Sequence, residues 1–117
     1  MAKVTIYHNP RCSKSRQALS LLQQRGVEPQ IVDYLNTPPD AEQIAELLDL
    51  LRLQPRELMR SNDAEYRELD LDHPDLSREQ LIRTVAEHPR LMQRPIVVSG
   101  GKAALGRPPE RVLEILR

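Results

Sequence analysis

The chain contains one cysteine, Cys12, and its neighbours are basic: Arg11, Lys14 and Arg16, with His8 one short loop away. A thiol attacks as its thiolate, and nearby cations favour that form. Cys12 also stands between an expected strand end and an expected helix start. The first N–H groups of a helix have no partner within it, and the helix dipole places partial positive charge there. The same groups can cradle a tetrahedral oxyanion. One stretch thus offers both a nucleophile and a seat for phosphate, arsenate or sulfate. The plainer alternative is a small buried hydrophobe that happens to begin a helix.

Two related chemistries do not fit. A phosphatase-type oxyanion loop requires an arginine six residues after the cysteine, and that position is Ala18. A dithiol redox motif requires a second cysteine where Ser15 stands. Cys12-Ser13-Lys14-Ser15 is a monothiol version of it. Ser15 either donates a hydrogen bond to the thiolate or is simply a favourable first-turn residue. Arg16 adds positive charge in support of the thiolate. His8 either pairs with the thiolate and moves a proton, or is an exposed loop side chain. His73 and His88 stand beside prolines in polar loops and receive no role.

The elements that must position these groups follow from residue patterning. Lys3 to Tyr7 alternates Val4 and Ile6 with Thr5 and Tyr7 and reads as a strand, broken by His8-Asn9-Pro10-Arg11. A helix begins at Ser13, with Ala18, Leu19 and Leu22 on one face, and stops at Gly26. Gln30 to Tyr34 reads as a second strand, completing a βαβ unit. Thr37-Pro38-Pro39-Asp40 reads as a helix cap. Ile44, Leu47, Leu48 and Leu51 then trace an amphipathic helix. Short helices are expected over Pro55 to Arg60 and Asp63 to Leu69. Ser77 and Gln80 form a capping box ahead of Leu81, Ile82 and Val85, and Pro89 closes that helix. Ile96-Val97-Val98, the hairpin signal Gly100-Gly101 and Lys102 to Leu105 return to β structure. Pro108-Pro109 opens a last helix through Val112, Ile115 and Leu116. The order is βαβ, a block of helices, then ββα: one α/β domain over residues 1–117, with a helical insertion at about 38–90.

Composition narrows the function classes. The 117 residues carry 17 Lys+Arg and 17 Asp+Glu, for a formal net charge of zero. That balance argues against binding nucleic acid or an anionic membrane through bulk charge. The core must be aliphatic, because Phe and Trp are absent and Tyr occurs three times. A single cysteine excludes an internal disulfide and cysteine-rich zinc sites. No apolar run is long enough to span a membrane, and the first residues read as a strand, not a signal peptide. The expected location is the cytoplasm, where a lone thiol stays reduced.

The run Tyr7-His8-Asn9-Pro10-Arg11-Cys12-Ser13-Lys14-Ser15-Arg16 resembles the N-terminal motif of the glutaredoxin-coupled arsenate reductases. Three further stretches match: Glu57-Leu58-Met59-Arg60, Leu91-Met92-Gln93-Arg94-Pro95-Ile96-Val97-Val98 and Leu105-Gly106-Arg107-Pro108-Pro109. The resemblance covers essentially the whole chain. Arg11 and Ser13-Lys14 depart from the small residues that flank the thiol in the best-known members.

The resemblance implies a thioredoxin-like fold with an inserted helical subdomain. It implies that Cys12 and His8 are catalytic, that Arg60, Arg94 and Arg107 bind the substrate, and that Pro95 is the cis-proline beside the thiol. Guanidinium forks suit an anion of arsenate size, since each satisfies two oxygens at once. The implied reaction is reduction of arsenate to arsenite, a step of arsenical resistance. Cys12 and glutathione supply the electrons, glutaredoxin resolves the product, and no bound cofactor or metal takes part. Two other functions share this site: a glutathione-dependent reductase of mixed disulfides, and a non-enzymatic regulator that binds a partner protein.

Overall fold

The computed structural model of the chain describes residues 3–116. These form two compact units, residues 38–93 and the segments on either side of them.

The first unit is built on a four-stranded sheet. Its elements are β1 (Val4–His8), α1 (Ser13–Gln24), β2 (Gln30–Asp33), β3 (Ile96–Ser99) and β4 (Lys102–Leu105). The strand order is β2-β1-β3-β4, with β1 parallel to β2 and the other two pairs antiparallel. A βαβ unit followed by a β-hairpin and a terminal helix is the thioredoxin-like arrangement. One row of side chains crosses the sheet through the paired residues Ile31, Ile6, Val97 and Ala104. The last three are buried and pack with Ala18, Leu22, Val112 and Ile115, while Ile31, on the edge strand, is half exposed. α1 ends in a Schellman motif: Gly26 at φ +76° donates to the Gln23 carbonyl, and Val27 donates to that of Leu22. A positive φ of this kind is costly for any residue with a Cβ.

Three elements of this unit differ from the sequence reading. β1 runs one residue further, so His8 is part of the strand rather than its break. With a period of two, His8 falls on the face of Val4 and Ile6 and is buried. β2 ends at Asp33, one residue earlier than expected. The last helix, Pro109–Leu116, is wound as 3₁₀ turns. Its buried residues Pro109, Val112 and Ile115 recur every three positions, the period of a 3₁₀ helix.

The second unit contains α2 (Ala41–Leu51), α3 (Ala64–Glu68), α4 (Arg78–Glu87) and 3₁₀ turns at Pro55–Leu58 and Pro89–Leu91. The cap of α2 is Asp40, not Thr37. Asp40 accepts from the Gln43 N–H, and the Gln43 side chain accepts from the Asp40 N–H. Two prolines ahead of Asp40 hold the chain extended, so the helix starts only after them. α4 carries the expected box between Ser77 and Gln80. The expected helix at Pro55 to Arg60 is only one 3₁₀ turn, because Met59 becomes extended and forms a β-bridge with Met92. The unit buries Ile44, Leu47, Leu48, Leu58, Leu81 and Val85, among others. Among the described residues, no helix is long and apolar enough to cross a membrane.

Leu22 has no solvent exposure and Leu35 is 38% exposed. Leu22→Ala should cost about 2–5 kcal/mol. Leu35→Ala should stay within about 0.5 kcal/mol. Urea unfolding followed by far-UV circular dichroism checks both, with an unchanged slope if the native state is intact.

Candidate active site

Cys12 is the N-cap of α1, with extended backbone angles (φ −95°, ψ 123°). Its N–H donates to the Asn9 carbonyl at 3.0 Å, and its carbonyl accepts from the Arg16 N–H at 3.0 Å. The side chain is partly buried and the thiol is free. Burial pushes the thiol pKa up. Against it act the Ser15 backbone N–H, the hydrogen bond and positive charge of the Arg94 guanidinium, and the Lys14 backbone N–H. The opposing group prevails, and Cys12 titrates below the ordinary thiol range.

Ser15 and His8 join the strand end to the helix start. Ser15 is spaced with Ala18 and Leu22 along the buried stripe of α1 and has no solvent exposure. Its Oγ lies 2.6 Å from His8 Nδ1 and accepts from the Asn9 N–H at 3.0 Å. Burial lowers the His8 pKa, Asp33 opposes this, and Arg16 reinforces it; the net shift is downward. Asp33 is the register partner of His8 on β2. A neutral imidazole with its Nδ1 lone pair toward Oγ accepts a hydrogen bond from the Ser15 hydroxyl, which places the ring's own proton on Nε2.

These contacts reassign two side chains. The Ser15 hydroxyl is committed to His8 and Asn9, so Ser15 reaches the sulfur through its backbone N–H. His8 is not an exposed loop residue but a buried strand residue facing Ser15. Arg16 donates from Nη1 to the Pro10 carbonyl at 2.9 Å, which ties down the loop before the thiol. The Asn9 side chain completes that loop by accepting from the Arg11 N–H at 3.0 Å.

Arg94 and Arg107 flank the β3–β4 hairpin. The Arg94–Pro95 peptide is cis, as the resemblance implies, and Arg107–Pro108 is cis as well. The second cis bond had no signal in the sequence beyond an ordinary Arg-Pro pair. Arg107 donates from Nε to the Arg94 carbonyl at 3.0 Å, so its Nη groups remain for other partners. The Arg94 Nε is buried without a hydrogen-bond partner among the described residues. Gly106 explains how the backbone comes so close here: its N–H donates to the Pro95 carbonyl at 2.9 Å. A Cβ on Gly106 would stand 2.7 Å from Pro95 Cγ and 3.1 Å from Val112 Cγ1.

Arg60 belongs to the second unit, after the Pro55–Leu58 turn. Its Nη1 lies 3.4 Å from Asp63 Oδ2. Among the described residues, no group of three or more His, Cys, Asp or Glu side chains is placed to hold a metal ion.

Four outcomes follow from this geometry. Iodoacetamide alkylation of Cys12 should show a pH midpoint below the ~8.5 of a free thiol. Arg94→Ala should move that midpoint up, since the guanidinium favours the charged form. Gly106→Ala should cost about 1–3 kcal/mol in urea unfolding, as overpacked sites do. It should also raise the alkylation midpoint, because the displaced ring belongs to the residue that follows Arg94.

Comparison with known proteins gives this site its relatives. The ArsC family pattern matches residues 7–115. The chain is 55% identical to the uncharacterized protein YfgD of Escherichia coli K12, over 97% of each chain. It is 49% identical to an arsenate reductase of Neisseria meningitidis, over 99% of this chain and 100% of the other. The solved structure of an arsenate reductase from Vibrio cholerae superposes with a TM-score of 0.95 at 49% identity, covering 97% of this chain and 98% of that one. By pattern, by identity along nearly its whole length and by fold, the chain belongs to the ArsC family.

Proposed function

We propose that this protein reduces arsenate to arsenite, with Cys12 as its single nucleophile and with glutathione and glutaredoxin as electron donors. The observation that carries this reading is the sulfur's setting: a partly exposed thiol, titrating below its ordinary range, faced by two backbone N–H groups and the Arg94 guanidinium. Groups that stabilise a thiolate also favour an oxyanion beside it. Relatives named arsenate reductase support arsenate as that anion.

In the proposed sequence, Arg60, Arg94 and Arg107 bind the arsenate oxygens. The Cys12 thiolate attacks arsenic(V), forming a sulfur–arsenic bond and expelling one oxygen as water once protonated. Glutathione thiolate then attacks the Cys12 sulfur. The sulfur–arsenic electron pair goes to arsenic, which leaves as arsenite, and Cys12 remains as a glutathione mixed disulfide. The two electrons come from the two thiols. Glutaredoxin attacks the glutathione sulfur and returns Cys12 as thiolate. His8 and Ser15 contribute by fixing the strand end against α1, so that the Ser15 and Lys14 N–H groups stay aimed at the sulfur. The fitting compartment is the cytoplasm, where both thiol donors stay reduced.

Arsenate with glutathione, in the absence of glutaredoxin, should convert the protein to a 1:1 glutathione adduct at Cys12. Intact-mass spectrometry reads it as the gain of one glutathione, lost again when glutaredoxin is added. Cys12→Ser should take up none. An adduct that forms only by exchange with oxidised glutathione, with arsenate adding nothing, would favour a mixed-disulfide reductase, and no adduct from arsenate and glutathione would refute the arsenate reductase reading.

A further inference from the structure

Arg60 is held by its main chain before its side chain does anything. Its N–H donates to the Leu91 carbonyl at 2.6 Å, and the Gln93 N–H donates to that of Leu58 at 2.7 Å. Between these two bonds lies the Met59–Met92 bridge. The Asp63 N–H then donates to the Arg60 carbonyl at 3.0 Å, closing a four-residue turn that brings the two side chains together.

The Asp63 side chain is only 7% exposed, and both of its oxygens are used. Oδ1 accepts from the Glu65 N–H at 3.0 Å and so caps α3. Oδ2 lies 3.4 Å from Arg60 Nη1 and 3.8 Å from Arg90 Nη2. The cap fixes the carboxylate, and the carboxylate fixes the guanidinium. Two cations share Oδ2, so Asp63 does not neutralise Arg60 outright. Only Nη1 of Arg60 is engaged. Its Nε and Nη2, which form one complete donor edge, meet no partner among the described residues, and the side chain is 34% exposed.

We propose that Asp63 is a positioning residue: by holding Nη1 it presents the Nε–Nη2 edge of Arg60 as a preformed fork for a tetrahedral oxyanion. The idea rests on the reading of Arg60 as a substrate ligand. A loose arginine must surrender the rotamer freedom of a long side chain when it binds, whereas one already tethered surrenders less. A partly exposed pair of this kind contributes little to folding stability. Its effect should therefore appear in binding rather than in the thermal midpoint.

Asp63→Asn retains a capping oxygen for α3 and removes the charge that holds Arg60. Asp63→Ser does the same with a different cap. Two readouts apply to each variant: the Nε–H signal of Arg60 in nitrogen-15 NMR, and the arsenate concentration that half-protects Cys12 from iodoacetamide. Both variants should mobilise the Arg60 signal, keep the thermal midpoint, and raise the half-protecting concentration about five- to tenfold. In an Arg60→Ala background, Asp63→Asn should change nothing further. An Arg60 signal as rigid in both variants as in the wild type overturns the proposal. So does protection unchanged in both, when Arg60→Ala alone weakens it; the substrate reading then survives. If the wild type shows no arsenate protection while Asp63→Asn still frees Arg60, the positioning stands and the oxyanion reading fails.

Discussion

The Ser15 hydroxyl holds two neighbours at once: it accepts from the Asn9 N–H and faces His8 Nδ1 at 2.6 Å, with no water-accessible surface of its own. A buried hydroxyl left unpaired would cost the free energy of its lost hydration. The arrangement is therefore all or nothing. His8 must come to the end of β1 with a free lone pair, and Asn9 must turn back toward α1. Once both are in place, the loop from His8 to Cys12 has a single path. The first turn of α1 then points its Ser15 and Lys14 N–H groups at the Cys12 sulfur. The downward shift of His8, caused chiefly by its burial, suits the same contact, because a protonated ring would replace the acceptor at Nδ1 with a donor.

The three arginines proposed to bind substrate illustrate a second constraint. A guanidinium that binds an anion well must be fixed without having its donors consumed. Arg107 is anchored by Nε on the Arg94 carbonyl, and Arg60 by Nη1 on Asp63. Each leaves other N–H groups for a ligand. Arg94 is used differently: its guanidinium faces the sulfur, and its buried Nε has no hydrogen-bond partner among the described residues. An unpaired buried donor is unfavourable in the free protein. Under the proposed function its acceptor arrives with the substrate.

What could be read from the sequence depended on whether the physics was local. The β1-α1-β2 unit, α2 with its i, i+3, i+4, i+7 stripe, the Ser77 box and the Gly100-Gly101 hairpin are written in neighbouring residues, and they appear in the order the patterns give, with ends shifted by a few residues at most. Cys12 at the start of α1 was legible for the same reason. Burial of His8 was legible in principle, since the alternation of Val4 and Ile6 continues one step further. A polar residue simply does not announce itself as part of a core face. The turn at Pro55 ends early because Met59 pairs with Met92, a partner 33 positions away that no window around Met59 contains. The role of Asp63 is similarly hidden: Asp before a helix reads as a cap, and the arginine it also holds is visible only in three dimensions.

The exposure of Cys12 is a compromise between two requirements. In the proposed reaction the sulfur must be reached by substrate and then by a second thiol, which favours exposure. The N–H groups and the Arg94 charge act strongly on the sulfur only where water does not screen them, which favours burial. Burial by itself stabilises the protonated thiol, and it is the largest single influence on Cys12. Full burial would strengthen that influence and close the path for attack. Full exposure would return the thiol toward its ordinary pKa. A partly buried sulfur at the mouth of a helix, with one arginine close by, satisfies both requirements, and it does so only while the Ser15–His8 contact keeps the helix start in place.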